Sequence, residues 1–180
     1  MHKSSPLRVL FLCTRNAARS QIAEAIMTQQ ISRLKSRAFV VASAGSDPAS
    51  EVHPWALRVL AERGIDWSGH YPKGIDAVRQ MPWDLIITVC DQAKETCPII
   101  PGQPAFAHWG MDDPSDAAGD DESRHRAFRD TATYLNRRIE LLLALPVDAL
   151  ERRALEARVQ QIARDVPVPR AHSPASGTTE

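Results

Sequence analysis

The sequence predicts an α/β fold, a small four-stranded parallel open sheet flanked by helices on both faces. Apolar segments of strand length alternate with segments of helical periodicity, which is the order of a parallel sheet with crossover helices. The first apolar segment is continuous and not alternating, as in strands that are covered on both faces. A chain of 180 residues also suits one compact domain with a sizeable core.

The first half of the chain supplies two strands and two helices. Residues 7–13 (LRVLFLC) form the continuous apolar strand, and from Arg19 onward the apolar residues recur at helical spacing. A second strand covers 38–42 (AFVVA) and is followed by Ser-Ala-Gly. A second helix begins at Pro54, which a first helical turn tolerates, and ends at Gly64, where helices commonly stop.

The second half supplies two more strands and a long helix. The third strand covers 84–90 (DLIITVC), and a short fourth strand covers 105–109 (AFAHW). Acidic residues open a helix between 120 and 145, where they suit the positive end of the helix dipole. Its apolar residues make one stripe, which predicts that it packs against the sheet.

Three segments follow from this order of elements. Residues 1–146 form the predicted catalytic domain, and a charged helix over 147–164 is expected to dock on it as an extension. Residues 165–180 are rich in Pro, Ser and small residues, a composition typical of a disordered tail.

Composition excludes two classes of partner. Basic and acidic residues balance at 22 each, so no overall field favours nucleic acid or an acidic membrane surface. The N-terminus lacks a small-residue cleavage site, and no segment has the long apolar run needed to span a bilayer. We therefore expect a cytoplasmic protein.

The three cysteines are Cys13, Cys90 and Cys97. An odd, sparse set does not describe a structural disulfide framework, and a reducing cytosol would work against one. The six histidines are scattered, so the tight spacing of a zinc site is missing. Inert buried thiols, redox chemistry and, as the weakest of the three, a metal site are the interpretations that this leaves open.

The loop after the first strand has the properties of an anion site. Free N–H groups at a helix N-terminus and the helix dipole bind oxyanions, and Arg19 can grip two oxygens. The same environment is expected to lower the pKa of the Cys13 thiol, with Ser20 donating a hydrogen bond to the sulfur. The residues expected to surround the anion are Thr14, Arg15, Asn16, Ala17, Ala18, Arg19 and Ser20.

A purely structural role is the alternative interpretation of this loop. A lone cysteine followed six residues later by an arginine is more often a buried thiol beside an exposed side chain. Here the pair lies between a strand and a helix, as the chemistry requires, and Ser20 follows Arg19. The position therefore favours an active site.

Cys90 and Cys97 are separated by a segment that cannot stay helical if they bond. Seven helical residues span about 10 Å, whereas a disulfide needs Cα atoms within about 7 Å. A disulfide between them would have to unwind the segment, and Pro98 weakens its last turn. Two buried core cysteines are the alternative.

Four motifs together resemble a known family. The run CTRNAARSQ (13–21) resembles the phosphate-binding loop of low-molecular-weight protein tyrosine phosphatases and of the arsenate reductases that share their fold. The runs SAGSDPASEVHP (43–54), DLIITVCDQAKETCP (84–98) and HWGMDDP (108–114) follow in the order of the thioredoxin-coupled arsenate reductases. The resemblance covers roughly residues 7–145.

The resemblance implies a three-cysteine relay that converts arsenate to arsenite without metal or organic cofactor. Cys13 would attack arsenate, Cys90 would release arsenite by forming a Cys13–Cys90 disulfide, and Cys97 would then form Cys90–Cys97. Thioredoxin is the implied reductant, with glutaredoxin as an alternative. Asp113 would be the general acid, although an aspartate before proline is also common in turns.

Several positions depart from the family pattern. Arg15 stands where relatives often have a small residue, and Ala18 stands where many have another cysteine. Lys73 stands where some relatives have an acidic potassium ligand, so we expect its ammonium to replace that ion. Asn16 and Glu24 are expected to support the loop.

Two other functions fit the same loop. A low-molecular-weight phosphatase would use Cys13, Arg19 and Asp113 through a phosphocysteine, but such enzymes typically have an aromatic residue where Ser115 follows Asp-Pro here. An oxyanion or redox sensor would signal through the segment between Cys90 and Cys97.

Overall fold

The computed structural model describes residues 5–91, 100 and 102–169, and in it four parallel strands form one open sheet. The strand order is β2-β1-β3-β4, so β1 is central, with β2 on one side and β3 on the other. This arrangement confirms the predicted fold class. The strands are Leu7–Cys13 (β1), Phe39–Gly45 (β2), Leu85–Thr88 (β3) and Ala105–His108 (β4).

Four α-helices connect or follow the strands in the described residues. Their N-termini show the expected local chemistry. Pro54 stands in the first turn of the second helix, and the Asp120 side chain caps the third helix by accepting a hydrogen bond from the N–H of Ser123. The helices are Arg19–Arg33 (α1), Pro54–Glu62 (α2), Asp121–Leu143 (α3) and Arg152–Asp165 (α4). Short 3-10 turns cover Ile75–Ala77, Pro114–Asp116 and Val147–Ala149.

Several element boundaries differ from the sequence prediction, and three of the differences bear on the site or on the C-terminal segment. The second strand continues to Gly45, because its pairing with β1 runs on to Cys13 opposite Gly45. The third strand ends at Thr88, where its pairing with β4 ends at His108, so Cys90 lies beyond the strand. The predicted helix over 147–164 is a 3-10 turn followed by α4.

The sheet is buried on both faces. Val9 and Phe11 of β1 point into the larger core cluster, to which all four helices contribute buried residues. Their neighbours Leu10 and Leu12 point the other way, into a smaller cluster that contains Trp83. Two-sided burial explains why the strand reads as a continuous apolar run.

The C-terminal helix α4 packs against the edge strand β4. Val159 is fully buried, and its carbonyl oxygen accepts a 2.9 Å hydrogen bond from the indole N–H of Trp109. The buried guanidinium of Arg138 donates to the carbonyl oxygens of Trp109 at 2.8 Å and Val166 at 2.9 Å, which ties the end of α4 to α3. Residues 170–180, most of the predicted tail, lie outside the described residues.

Across the ranges described above, no helix is both long enough and apolar enough to cross a membrane. Parallel strands direct their carboxyl ends to one edge of the sheet, and this is where α/β proteins bind ligands. Cys13 ends β1 at this edge.

Candidate active site

The loop between β1 and α1 holds the thiol of Cys13. The Asn16 N–H donates a 3.1 Å hydrogen bond to the sulfur, and Ser20 Oγ lies 2.7 Å from it. Asn16 has a φ of +48°, a left-handed conformation that asparagine tolerates better than most residues. The loop therefore curves around the Cys13 sulfur.

The N-terminus of α1 points at the same position. Within the described residues no side chain caps this helix at Ala18, so its first N–H groups can donate hydrogen bonds to a bound anion. Ala17 and Ala18 both line the cavity in front of Cys13. The loop is supported from β2, where Gly45 packs so closely that a Cβ there would overlap the carbonyl oxygen of Thr14.

The pKa of the Cys13 thiol is raised, contrary to the sequence-based expectation. Burial is the largest cause, because the sulfur is removed from water and the charged thiolate loses solvation. The hydrogen bond with Ser20, the charge of Arg19 and the Asn16 N–H lower the pKa but do not offset burial. The expected lowering is therefore wrong for this geometry.

Arg19 and Asp113 form an ion pair at the wall of the cavity. Arg19 Nη2 lies 2.6 Å from Asp113 Oδ2, and Nη1 donates to the Met111 carbonyl oxygen at 2.8 Å. Asp113 Oδ1 accepts from the N–H of Ser115 at 2.9 Å, which fixes the orientation of the carboxyl. The pair is mostly shielded, with 12% of the Arg19 and 26% of the Asp113 side chain exposed.

One cavity of about 340 Å³ joins these groups. Cys13, Arg19 and Asp113 line it together with Arg15, Glu51 and His53. Among the described residues that line it, none is Phe, Tyr or Trp. The cavity thus offers a small polar ligand a nucleophilic thiol, a guanidinium that can donate two hydrogen bonds, and a carboxyl group.

Arg15 lies at the rim and not at the base of the site. Its guanidinium is 3.8 Å from the carboxylate of Asp47, and 61% of the side chain is exposed. An exposed pair at this distance contributes little to stability. The side chain is therefore available to an anion that enters the cavity.

Asn16 connects the loop to three other parts of the fold. Its Nδ2 donates to Ser20 Oγ and Ser43 Oγ, both at 2.8 Å. Its Oδ1 accepts from Gln21 Nε2 at 3.0 Å and from the Lys73 N–H at 2.7 Å. All of the polar capacity of this buried side chain is used to hold the loop in place.

A cation and a carboxylate lie behind this network. Lys73 Nζ is 3.2 Å from Glu24 Oε2, and the same oxygen accepts a 2.5 Å hydrogen bond from Ser43 Oγ. Only 22% of the Lys73 side chain and 11% of the Glu24 side chain are exposed. A shielded ammonium therefore occupies the space beside the Glu24 carboxylate.

The second predicted thiol also reaches the loop. Cys90 is 3% exposed, and its sulfur lies 3.6 Å from Thr14 Oγ1. Cys90 also makes the smallest of the contributions that raise the pKa of Cys13. Cys97, the third predicted thiol, lies outside the described residues.

Sequence reasoning missed three residues that the structure brings to the site. Ser43 and Gln21 are buried polar side chains bonded to Asn16. His53 lines the cavity, and its N–H donates to the Ala17 carbonyl oxygen at 2.8 Å. Ser43 and His53 fall within the SAGSDPASEVHP motif, and His53 directly precedes a helix, but neither signal specified a contact with the loop.

Comparisons with known proteins identify the family of this chain and several of its relatives. The family model described as low molecular weight phosphotyrosine protein phosphatase matches residues 8–161. An arsenate reductase of Halalkalibacterium halodurans is 36% identical over 132 residues, which are 73% of this chain and 91% of that protein.

Solved structures that resemble this chain include an arsenate reductase and a low molecular weight phosphatase. A thioredoxin-dependent arsenate reductase of Corynebacterium glutamicum superposes with a TM-score of 0.56 at 33% identity, over 78% of this chain and 62% of that chain. This chain thus spans less than two thirds of that protein. A low molecular weight protein tyrosine phosphatase of T. tengcongensis has a TM-score of 0.62 at 24% identity, over 76% of this chain and 97% of that chain, and shares the fold.

Proposed function

We propose that this chain, which belongs to the low molecular weight phosphotyrosine protein phosphatase family and within it to the arsenate reductases, reduces arsenate to arsenite. The observation that carries the proposal is the second thiol at the loop. Cys90 Sγ lies 3.6 Å from Thr14 Oγ1, next to the residue that carries the first thiol. Among the cysteines, hydrolysis of a phosphate ester would need only Cys13, whereas reduction of arsenate needs a second sulfur close by.

The first step is attack on a bound oxyanion. Arg19 exchanges the Asp113 carboxylate for two oxygens of arsenate, and the N–H groups of the loop and α1 hold the remaining oxygens. The Cys13 thiolate forms a bond to arsenic. Protonated Asp113 gives its proton to the departing hydroxide, which leaves as water.

The second step transfers electrons. The Cys90 thiolate attacks the sulfur of Cys13, an S–S bond forms, and the S–As bond breaks with its electron pair remaining on arsenic. Arsenic is reduced from the +5 to the +3 state, and two thiols are oxidised to the Cys13–Cys90 disulfide. Cys97 then attacks Cys90, which frees Cys13 and leaves a Cys90–Cys97 disulfide.

A dithiol protein must return two electrons for each arsenite released. We propose thioredoxin for this role, supported by the structural neighbour whose name describes it as thioredoxin-dependent. A direct comparison of thioredoxin with glutaredoxin as electron donor tests this choice, and faster turnover with glutaredoxin would contradict it.

Lys73 is proposed to supply the positive charge beside Glu24. Its ammonium lies 3.2 Å from the carboxylate, which is linked through Ser43 to Asn16 and so to the loop around Cys13. A fixed ammonium at this point would make a bound alkali cation unnecessary.

Steady-state turnover tests the function against its closest alternative. Purified protein is assayed for arsenite formation with thioredoxin, thioredoxin reductase and NADPH, and for hydrolysis of an aryl phosphate. Cys90→Ser should abolish arsenite formation and leave any aryl phosphate hydrolysis unchanged, because that reaction needs Cys13 but not Cys90. Arsenite formation that survives in Cys90→Ser would rule out the relay.

A further inference from the structure

His53 is the N-cap residue of α2 and lines the same cavity as Cys13 and Asp113. Its backbone N–H donates to the Ala17 carbonyl oxygen at 2.8 Å, which joins it to the anion loop. Its ring stacks on Phe128 with a centroid separation of 4.7 Å. The backbone of His53 is therefore fixed by the loop, and its ring is fixed by the core and by the first turn of α2.

The contacts of the ring define where its proton lies. Nδ1 accepts a 3.2 Å hydrogen bond from the N–H of Trp55, so Nδ1 carries the lone pair and Nε2 carries the proton in the neutral ring. Burial lowers the pKa of His53, and the negative charges of Asp113 and Glu51 oppose this only in part. Near neutral pH the ring is uncharged and offers one N–H donor, at Nε2.

Asp113 needs such a donor during the reaction. In this structure the Asp113 carboxylate is paired with Arg19 at 2.6 Å, but the guanidinium must turn to the oxyanion when arsenate binds. The carboxyl then loses its positive partner at the stage when it must give up a proton. Each proton it transfers leaves a negative charge in a shielded cavity.

We propose that His53 is a positioning residue for Asp113. As Arg19 turns to the oxyanion, the Nε2–H of His53 donates a hydrogen bond to the Asp113 carboxyl and stabilises the carboxylate that remains after proton transfer. The proton moves from Asp113 to the departing hydroxide, and His53 keeps its own proton throughout. The inference rests on the proposed function, since it assigns a partner to the acid of that reaction.

The test is a single-turnover experiment with enzyme in excess over arsenate, so that reductant does not limit the rate. His53→Asn removes Nε2 but keeps a side chain that caps a helix well. We expect the rate of thiol loss to fall about tenfold or more, the size of one hydrogen bond to a charged group, with the dissociation constant for arsenate changed by no more than about twofold.

A double-mutant cycle separates this role from a structural one. In the Asp113→Asn background, His53→Asn should change the rate by no more than about twofold, because the carboxyl that it serves is gone. His125→Asn is the matched control: this histidine also stacks on an aromatic ring, that of Trp55, but does not line the cavity. It should leave the single-turnover rate unchanged.

The outcomes are distinct. A fall in rate of the same size in the Asp113→Asn background would overturn the inference, and so would weaker arsenate binding at an unchanged rate, which would place His53 on the oxyanion. If the unmodified protein itself forms no arsenite, it is the proposed function that fails. If the unmodified protein and His53→Asn form arsenite equally fast, the proposed function is unaffected and only the inference about His53 is refuted.

Discussion

The guanidinium of Arg19 lies 2.6 Å from the carboxylate of Asp113, in the cavity that also contains the Cys13 thiol. The same guanidinium is the group best placed to grip a tetrahedral oxyanion. Acid and substrate therefore compete for Arg19. Binding of the anion separates the Asp113 carboxylate from its positively charged partner.

Asp113→Asn should separate binding from chemistry. Turnover of arsenate should fall about a hundredfold or more, since a general acid is lost. Phosphate, used as a competitive inhibitor, should bind severalfold more tightly, because Arg19 no longer has a carboxylate partner to exchange. Steady-state kinetics with phosphate inhibition measures both quantities.

Asp116→Asn is the matched control for this substitution. Asp116 lines the same cavity but is exposed, and its removal deletes the same charge without touching Arg19. Equal losses of turnover in the two variants would show that net charge, and not the pairing with Arg19, is what matters.

Ser20→Ala should move the ionisation of Cys13 to higher pH. Ser20 Oγ lies 2.7 Å from the sulfur, and its hydrogen bond is one of the causes that lower a pKa raised by burial. Without it the pKa of the Cys13 thiol should rise further, because one of the groups that stabilise the thiolate is lost. Below that pKa the thiolate fraction falls, so alkylation of Cys13 by iodoacetamide should slow at neutral pH and recover only at more alkaline pH.

The pH profile of alkylation is compared with that of Ser115→Ala. Ser115 lines the cavity, but it donates to the Asp113 carboxyl through its backbone N–H, which alanine keeps. Coinciding profiles for Ser20→Ala and the unmodified protein would mean that the hydroxyl does not stabilise the thiolate.

Lys73 should make the activity independent of the alkali cation. Replacing sodium by potassium at fixed ionic strength should leave arsenate turnover unchanged, and strong specific activation by potassium would refute the proposed role.

Lys73→Met should lower the free energy of unfolding by about 1–3 kcal/mol, because the shielded Glu24 carboxylate loses its cation. Adding Glu24→Gln to that variant should restore part of the loss, as urea titrations would show.

Arg138 should hold the C-terminal helix in place. Its side chain is 2% exposed and donates to the carbonyl oxygens of Trp109, Ala163 and Val166, two of which lie at the end of α4. Arg138→Met should lower the free energy of unfolding by about 2–4 kcal/mol, measured by urea denaturation, since these buried acceptors lose a charged donor. The exposed neighbour Arg137 provides the control, and equal effects of Arg137→Met and Arg138→Met would contradict the assignment.

Local features of the site could be predicted from sequence, because they lie within a short stretch of chain. The strand ending at Cys13 and the helix beginning at Arg19 are marked by a change in apolar periodicity, and the structure has both at the predicted residues. Asp113 lies 94 residues from Arg19, so no periodicity relates the two. Family resemblance alone indicated Asp113, and the structure now places it beside Arg19.

Features set by packing could not be predicted. The raised pKa of Cys13 follows from burial of the thiol, which depends on how the loop, α1 and the rest of the core come together. His53 and Ser43 reach the loop only because β2 and α2 are placed next to it. The early end of β3 likewise follows from the length of its neighbour β4, a relationship between strands that are distant in sequence.

The most direct test of the account is mass spectrometry of the cysteines after one turnover of arsenate without reductant. The account predicts one arsenite for each protein molecule, a Cys90–Cys97 disulfide, and a reduced Cys13. In Cys97→Ser the disulfide should instead be Cys13–Cys90. Arsenite released with all three thiols still reduced, or no arsenite at all, would contradict it.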